Sequence, residues 1–265
     1  MIEEYRKQRW DDNARWQLTT FAQAQMGSWG GTAEIYEADA KDVQRVKKLV
    51  GPWVPTCESE AKVSGSQEVE LTETLPAPAE PLALSVKTIG ADGFRPECGN
   101  MAVGGAFTLA TPSKEADGGW LLEMCLREES RRVRCKLLYQ PVDGDGGDGT
   151  PAMRITNVAI VREVLGGGEF LLSDVTGEEP DIDGSPGRGL YDPPPGEKLR
   201  YVSLYSEGGI TLVFPSEVAA DGEGVISLDW IAGRMRYQID RKFAKLDGSL
   251  ASLELTEIQK EDAET

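Results

Sequence analysis

The chain has 265 residues, 40% hydrophobic and 7% aromatic, with a formal net charge of −17 and a sequence pI near 4.5. Acidity on this scale repels phosphate backbones and anionic membranes, so nucleic-acid binding is not expected without a concentrated basic patch. The absence of histidine excludes Ser-His-Asp and Cys-His nucleophile activation and any histidine-ligated metal.

In chain order, the opening residues "MIEEYRKQRWDD" lack the apolar core of a signal peptide and are too acidic for a transit peptide. No apolar run approaches the roughly 20 residues that span a bilayer, so a protein without a transmembrane segment is expected. Residues 3–26 predict an amphipathic helix, because Trp10, Ala14, Leu18, Phe21 and Ala22 recur at three- and four-residue spacing. Gly27 then stands as its C-terminal stop. A second, shorter helix is expected over 38–50, "ADAKDVQRVKKLV", ended by Gly51-Pro52. The remainder alternates with period two, and 30 glycines and 15 prolines suit many short strands joined by turns. Strands are predicted at 29–36, 67–74, 83–89, 105–110, 119–127, 133–140, 153–164, 169–174, 199–206, 209–214, 224–230, 233–243 and 249–258. "LPAPAEP" (75–81) reads as an extended connector, and the Gly/Asp-rich 141–151 and turn-rich 177–198 as loops. The first of these loops divides the strands into two halves, residues 1–150 and 151–265.

The four cysteines, at 57, 98, 125 and 135, show no Cys-x-x-Cys spacing, and neither a metal site nor a redox motif is expected. Cys125 and Cys135 fall on one predicted hairpin. Pairing Leu122 with Tyr139, Met124 with Leu137 and Leu126 with Cys135 makes one continuous apolar face and turns Cys125 to the other, so the thiols are expected to be reduced.

Most motifs with catalytic associations fail on context. "GDGGDG" (144–149) matches a dinucleotide pattern, but Thr150-Pro151 and a strand come next where a helix is required. As a calcium loop it carries Arg154 where the bidentate glutamate belongs. "SEAK" (59–62) lacks the companion elements of a Ser-x-x-Lys enzyme. No catalytic residue is assigned, and no cofactor is expected. The strongest positive feature is "REESRRVRCK" (127–136), where Arg127, Arg131, Arg132 and Arg134 crowd one hairpin end. Either this is a solvated tip that protects a sheet edge, or it is a clamp for carboxylate or phosphate groups. Arg154 and Arg162 alternate on one strand face and would extend such a surface. Glu207, beside the Gly208-Gly209 turn, is a further contact candidate.

A helix, then Gly27-Ser28-Trp29, then a strand is the order in which lipocalin and wider calycin barrels open. The later segments "ITNVAIVREVL" (155–165), "LRYVSLYSEGGITLVFPSEV" (199–218), "ISLDWIAGRMRYQIDRKF" (226–243) and "DGSLASLELTEI" (247–258) resemble a cyanobacterial and plastid family of calycin-like proteins, mostly of unknown function. The resemblance runs from about Arg9 to Ile258. It implies an all-β fold of two tandem calycin-like antiparallel barrels with an N-terminal helix. It also implies barrel closure by Gly27 and Trp29, with a late-strand arginine, Arg236 or Arg241, packed across the indole. One plastid branch of the family helps to assemble the ATP synthase catalytic head, and more distant calycin relatives load tetrapyrroles onto light-harvesting proteins. The expected function is a non-enzymatic assembly factor for a membrane-associated complex, acting by protein binding in the plastid stroma or the cytoplasm of a cyanobacterium. On a plastid reading, the transit segment is absent from this chain. The alternative is a carrier holding a lipid, carotenoid or tetrapyrrole inside a barrel, which would require an apolar cavity of roughly 300 Å³ or more.

Overall fold

The structure, a computed structural model, describes residues 2–38, 46–64, 68–75, 82, 86–95, 100–112, 119–142, 152–170, 172, 201–218, 224–243 and 250–257. It is almost entirely antiparallel β-structure behind one helix, α1 (Ile2–Gln25). Both Gly/Asp-rich and turn-rich loops expected from the sequence lie largely or wholly outside the described residues.

The first sheet contains β1 (Gly27–Ala38), β2 (Val46–Ser64), β3 (Glu68–Thr74), β4 (Val86–Gly90), β5 (Met101–Val103), β6 (Ala106–Pro112), β7 (Trp120–Glu128), β8 (Arg131–Val142) and β9 (Ala152–Leu165). Their spatial order is β4-β3-β2-β1-β9-β8-β7-β6-β5, and the short β12 (Glu217–Val218) adds to β9. The second sheet is β10 (Tyr201–Ser206), β11 (Ile210–Pro215), β13 (Gly224–Ala232), β14 (Met235–Phe243) and β15 (Leu250–Glu257), in the order β10-β11-β13-β14-β15. A division after residue 150 therefore runs ahead of a strand of the first sheet, since β9 lies between β1 and β8.

Three expectations are corrected. Of the segment 38–50, the described residues are strand and not helix: Ala38 ends β1, and Val46, Lys47 and Lys48 open β2 and pair with Ala38, Glu37 and Tyr36. Sheet pairing overrides a helix-compatible pattern there, while residues 39–45 lie outside the described residues. Glu169, Phe170 and Leu172 are in no strand. In the β7–β8 hairpin, Leu122 faces Leu137, Met124 faces Cys135 and Leu126 faces Val133, two residues from the predicted register. A two-residue slip keeps every side chain on its face. Cys125 accordingly pairs with Arg134, away from Cys135, and both thiols are free and buried.

Period-two alternation gives the first sheet two different faces. Leu122, Met124, Leu126, Val133, Cys135, Leu137, Val158 and Ile160 pack against Val202, Leu204, Leu212, Phe214, Leu228 and Trp230 of the second sheet, forming the largest core. Tyr139 crosses this interface and its hydroxyl donates to the Pro215 carbonyl at 2.8 Å. The opposite, inner face carries Trp29, Ala33 and Ile35 together with Cys125, Leu121, Leu138 and Val161. Helix α1 covers part of it, with Ala14, Leu18, Phe21 and Ala22 packed on Phe94, Phe107 and Cys125. Gly31 lies where β1 meets β9 so closely that a Cβ would stand 1.8 Å from the Arg162 carbonyl oxygen. Glycine is therefore required there by space.

Candidate functional site

The cationic run of β8 does not end at a solvated tip. Arg132, Arg134 and Lys136 alternate with Val133, Cys135 and Leu137, so all three cations point to the inner face, where each is almost completely buried. Three carboxylates from three other strands meet them: Glu73 on β3, Glu123 on β7 and Glu163 on β9. Arg134 is the hub. It donates to both oxygens of Glu163 at 2.7 and 2.8 Å and to Glu123 at 2.8 Å, and its Nη2 lies 2.7 Å from Glu73. Arg132 donates to Glu163 and to the Gln25 side-chain carbonyl, each at 2.7 Å. Lys136 pairs with Glu73, stands 3.5 Å from Glu123 and donates to the Leu82 carbonyl at 3.2 Å. Arginine's planar fork suits this multidentate role.

The network is balanced in charge, with three cations against three carboxylates. Burial by itself would push the Glu163 carboxyl up, but Arg134 and Arg132 more than reverse that and hold it at about 2. Burial likewise opposes ionisation of Glu123, and Lys136 and Arg134 overcome it to lower its pKa. Burial pushes the Cys125 thiol up to about 12 and the Cys135 thiol higher still, so neither is a thiolate nucleophile near neutral pH. A carboxyl with a depressed folded pKa stabilises the fold above its unfolded value of 4.5 and loses that contribution as pH falls toward the folded value. Urea midpoints measured from neutral pH downward are expected to fall steeply between about pH 4.5 and 2. The Glu163→Gln variant should show a shallower decline across this window, and an unchanged slope would exclude Glu163 as its source.

Trp29 closes one end of the network. Its indole is buried and donates to the Gln25 carbonyl at 3.0 Å. The Arg132 guanidinium lies over the ring at 4.0 Å and that of Arg127 at 5.0 Å. The tryptophan thus has its cationic cover, but not from the residues expected. Arg236 donates to Asp229 at 2.6 Å, and Arg241 donates to Thr108 at 2.8 Å. The two sheets face each other through the outer face of β7–β9, whereas Trp29 points to the inner face. Late-strand arginines on the second sheet are therefore on the wrong side. Arg127 also donates to the Gln23 and Ala24 carbonyls at 3.0 and 2.8 Å, satisfying the C-terminal end of α1, while Gly27 takes a φ of +107° just after it.

The remaining candidates separate. Arg154 pairs with Glu217 of β12 at 2.7 Å. Arg162 meets Glu207 at the β10–β11 turn, while Arg131, at the start of β8, approaches the same Phe170 ring as Arg162. The Arg162 guanidinium donates to the Glu207 carbonyl and to Ser206, and beside it the Tyr36 hydroxyl donates to the buried Glu34 at 3.0 Å. Burial brings the Arg162 pKa down to about 10, against the opposing pull of Glu34 and Glu207. The Glu207 side chain itself is exposed. Arg131 pairs with Glu128 and lies 5.8 Å from the Trp230 ring. Phe170, between the two arginines, is 6.0 Å from each. The set Arg127, Arg131, Arg132 and Arg134 therefore does not form one clamp.

Sequence reasoning missed Glu73, Glu123, Glu163 and Lys136 as members of the network. The signal available was the alternation Arg-Val-Arg-Cys-Lys, which forces three cations onto one face of a strand. It also set Trp10 on the apolar stripe of α1, where the structure leaves it exposed, and did not single out Tyr5 and Trp16. Residues 4–10 are all exposed, and Tyr5, Trp10 and Trp16 are 65%, 54% and 55% accessible.

Comparison with known proteins bears on the fold alone. No protein-family model matches the chain, and no functionally curated protein does. Among solved structures it is similar to a Nostoc punctiforme protein of unknown function from the DUF3598 family, with a TM-score of 0.54 at 15% identity, covering 90% of this chain and 97% of that one. The class so defined is a β-rich fold with an N-terminal helix, shared with a cyanobacterial protein and with no activity attached. Among the described residues, no helix is long and apolar enough to cross a membrane.

Proposed function

We propose that this chain is a non-enzymatic assembly factor, built on two calycin-like barrels, that binds protein components of a membrane-associated complex in a plastid or cyanobacterium. The observation that carries this reading is the first part of α1. Its residues 4–10 bury nothing against the sheets, yet the helix holds Tyr5, Trp10 and Trp16 out to solvent. Exposed aromatics of this size are the usual anchors of protein interfaces. The inner face of the first sheet supports the same reading. It is occupied by six interlocked charges, whose hydrogen bonds a lipid or carotenoid would have to break without replacing them. The described thiols, Cys125 and Cys135, are buried and held protonated, so these two offer no nucleophile.

The test is affinity capture by the full chain from cyanobacterial or chloroplast extract, with native mass spectrometry of the same preparation. Subunits of one complex should co-purify, and the paired Trp10→Ser and Trp16→Ser variant should lose at least about tenfold of that yield, as anchor removal does, with an unchanged thermal midpoint. Undiminished capture by the variant, or a stoichiometric lipid, carotenoid or tetrapyrrole in the native spectrum, would overturn the proposal, the latter in favour of a carrier.

A further inference from the structure

The outer strands of the two sheets are β4 and β5, and β10 and β15. Three of these edges are protected. β4 carries Lys87, and β15 carries Glu254 and Glu257; a charge on an edge strand opposes the docking of another strand. β5 is only three residues long, and the Gln17 side-chain carbonyl of α1 accepts from its Ala102 N–H at 3.1 Å. The fourth edge, β10, is Tyr-Val-Ser-Leu-Tyr-Ser (201–206), with neither a charge nor a proline. It pairs with β11 on one side, and among the described residues no strand pairs with it on the other. The direction of its backbone groups follows from its neighbours. Ile231 N–H donates to the Gly209 carbonyl, so Gly209, Thr211 and Val213 turn their peptide groups toward β13, and Ile210, Leu212 and Phe214 turn theirs toward β10. Those three pair with Ser206, Leu204 and Val202. The N–H and C=O groups of Tyr201, Ser203 and Tyr205 are therefore directed away from β11. Val202 and Leu204 enter the core between the sheets, and Tyr205 stands 56% exposed on the other face. Tyr201 shares that face, and its hydroxyl accepts from Val225 N–H at 3.3 Å.

We infer that β10 is a self-association edge, at which two copies of this chain pair antiparallel about a two-fold axis through Ser203. The segment 201–205, Tyr-Val-Ser-Leu-Tyr, has the same pattern in both directions, with one aliphatic residue exchanged for another. An antiparallel copy in that register sets Ser203 opposite its own equivalent, Tyr201 opposite Tyr205, and Val202 opposite Leu204. The outward N–H and C=O groups then meet complementary groups. Two pairs of rings form on one face, and on the other the aliphatic layer of the core continues from one copy into the next. A register two residues away sets Tyr205 opposite Ser203 and Tyr201 opposite Glu207, and loses both ring pairs. The contact is isologous, so it closes at two copies. A chain of net charge −17 repels its own copies, and a strand without charge adds nothing to that repulsion. This edge is separate from the exposed aromatics of α1, and the inference is independent of the function proposed from them.

Sedimentation velocity of the full chain between about 1 and 100 μM should show a dimer whose fraction rises with concentration, as a small interface gives. Tyr205→Asp, at an exposed side chain, removes both ring pairs at once and places a carboxylate on the edge. It should weaken association at least about tenfold, with an unchanged thermal midpoint. Ser203→Cys brings two thiols together across the axis at a Cα separation of about 5.5 Å, within the range a disulfide spans. After mild oxidation it should run as a covalent dimer on a non-reducing gel. The wild type should not, nor should Tyr205→Cys, whose thiols lie off the axis. A wild type that stays monomeric throughout, a dimer indifferent to Tyr205→Asp, or cross-linking at 205 and not at 203 would overturn the inference.

Discussion

Replacing Arg134 with methionine is expected to destabilise the fold by about 3–5 kcal/mol, the range found when one partner is removed from a buried ion pair. The residue touches Glu163, Glu73 and Glu123 at once, and all four side chains are almost fully inaccessible. Methionine fills comparable volume and packs well, so the loss is electrostatic. Three carboxylates remain against Arg132 and Lys136 alone, with oxygens that had two arginine donors now facing low-dielectric surroundings. Urea unfolding of the variant measures the effect, and it approaches the whole stability of an ordinary domain. The paired variant Arg134→Met with Glu163→Leu restores charge balance. It should be more stable than the sum of the single losses predicts, by a coupling of about 0.5–3 kcal/mol. Strict additivity would mean that the two side chains are neighbours without being partners.

That network also marks where sequence reading reached its limit. Strand positions in the second half, the hairpin faces and the opposite orientation of Cys125 and Cys135 come from period-two alternation, which is local and survives a two-residue slip in register. The helix reading failed at 46–50 because β2 is fixed by its pairing with β1, and pairing between segments is not encoded in either one alone. The arginine cluster failed for a related reason. Four arginines in eight residues look like a solvated tip while the strand's second face is unknown. Once β9 supplies Glu163 and β3 supplies Glu73, the same residues become interior. A strand buried on both faces with cations on one of them is rare enough that the ordinary expectation, charge outward, outweighed the alternation that was in view. Trp29 was legible as a buried side chain because a helix, a glycine stop and a strand stand in succession along the chain. Its arginine partners were not, since Arg127 and Arg132 are brought over it by long-range pairing.

Trp29→Ala is the second large effect expected, at about 3–5 kcal/mol for loss of a buried tryptophan. Volume is only part of its contribution. The indole N–H satisfies the Gln25 carbonyl at the end of α1, the ring face receives Arg132 at 4.0 Å, and Arg132 in turn holds Gln25 and Glu163. The tryptophan therefore ties helix to network, and its removal should reach both. Amide exchange in α1 should accelerate in Trp29→Ala, beginning from the C-terminal turn, while β13 and β14 in the second sheet remain protected. Two milder variants separate the causes. Trp29→Leu and Trp29→Phe both lose the N–H donor, but phenylalanine alone offers a ring face to the guanidinium. Phenylalanine should be the more stable by about 0.5–2 kcal/mol if the cation–π contact contributes. Equal stability would assign Arg132 wholly to Glu163 and Gln25 and leave the indole as packing alone. The sign of that one difference decides whether the tryptophan and the ion network are a single structural unit or two adjacent ones.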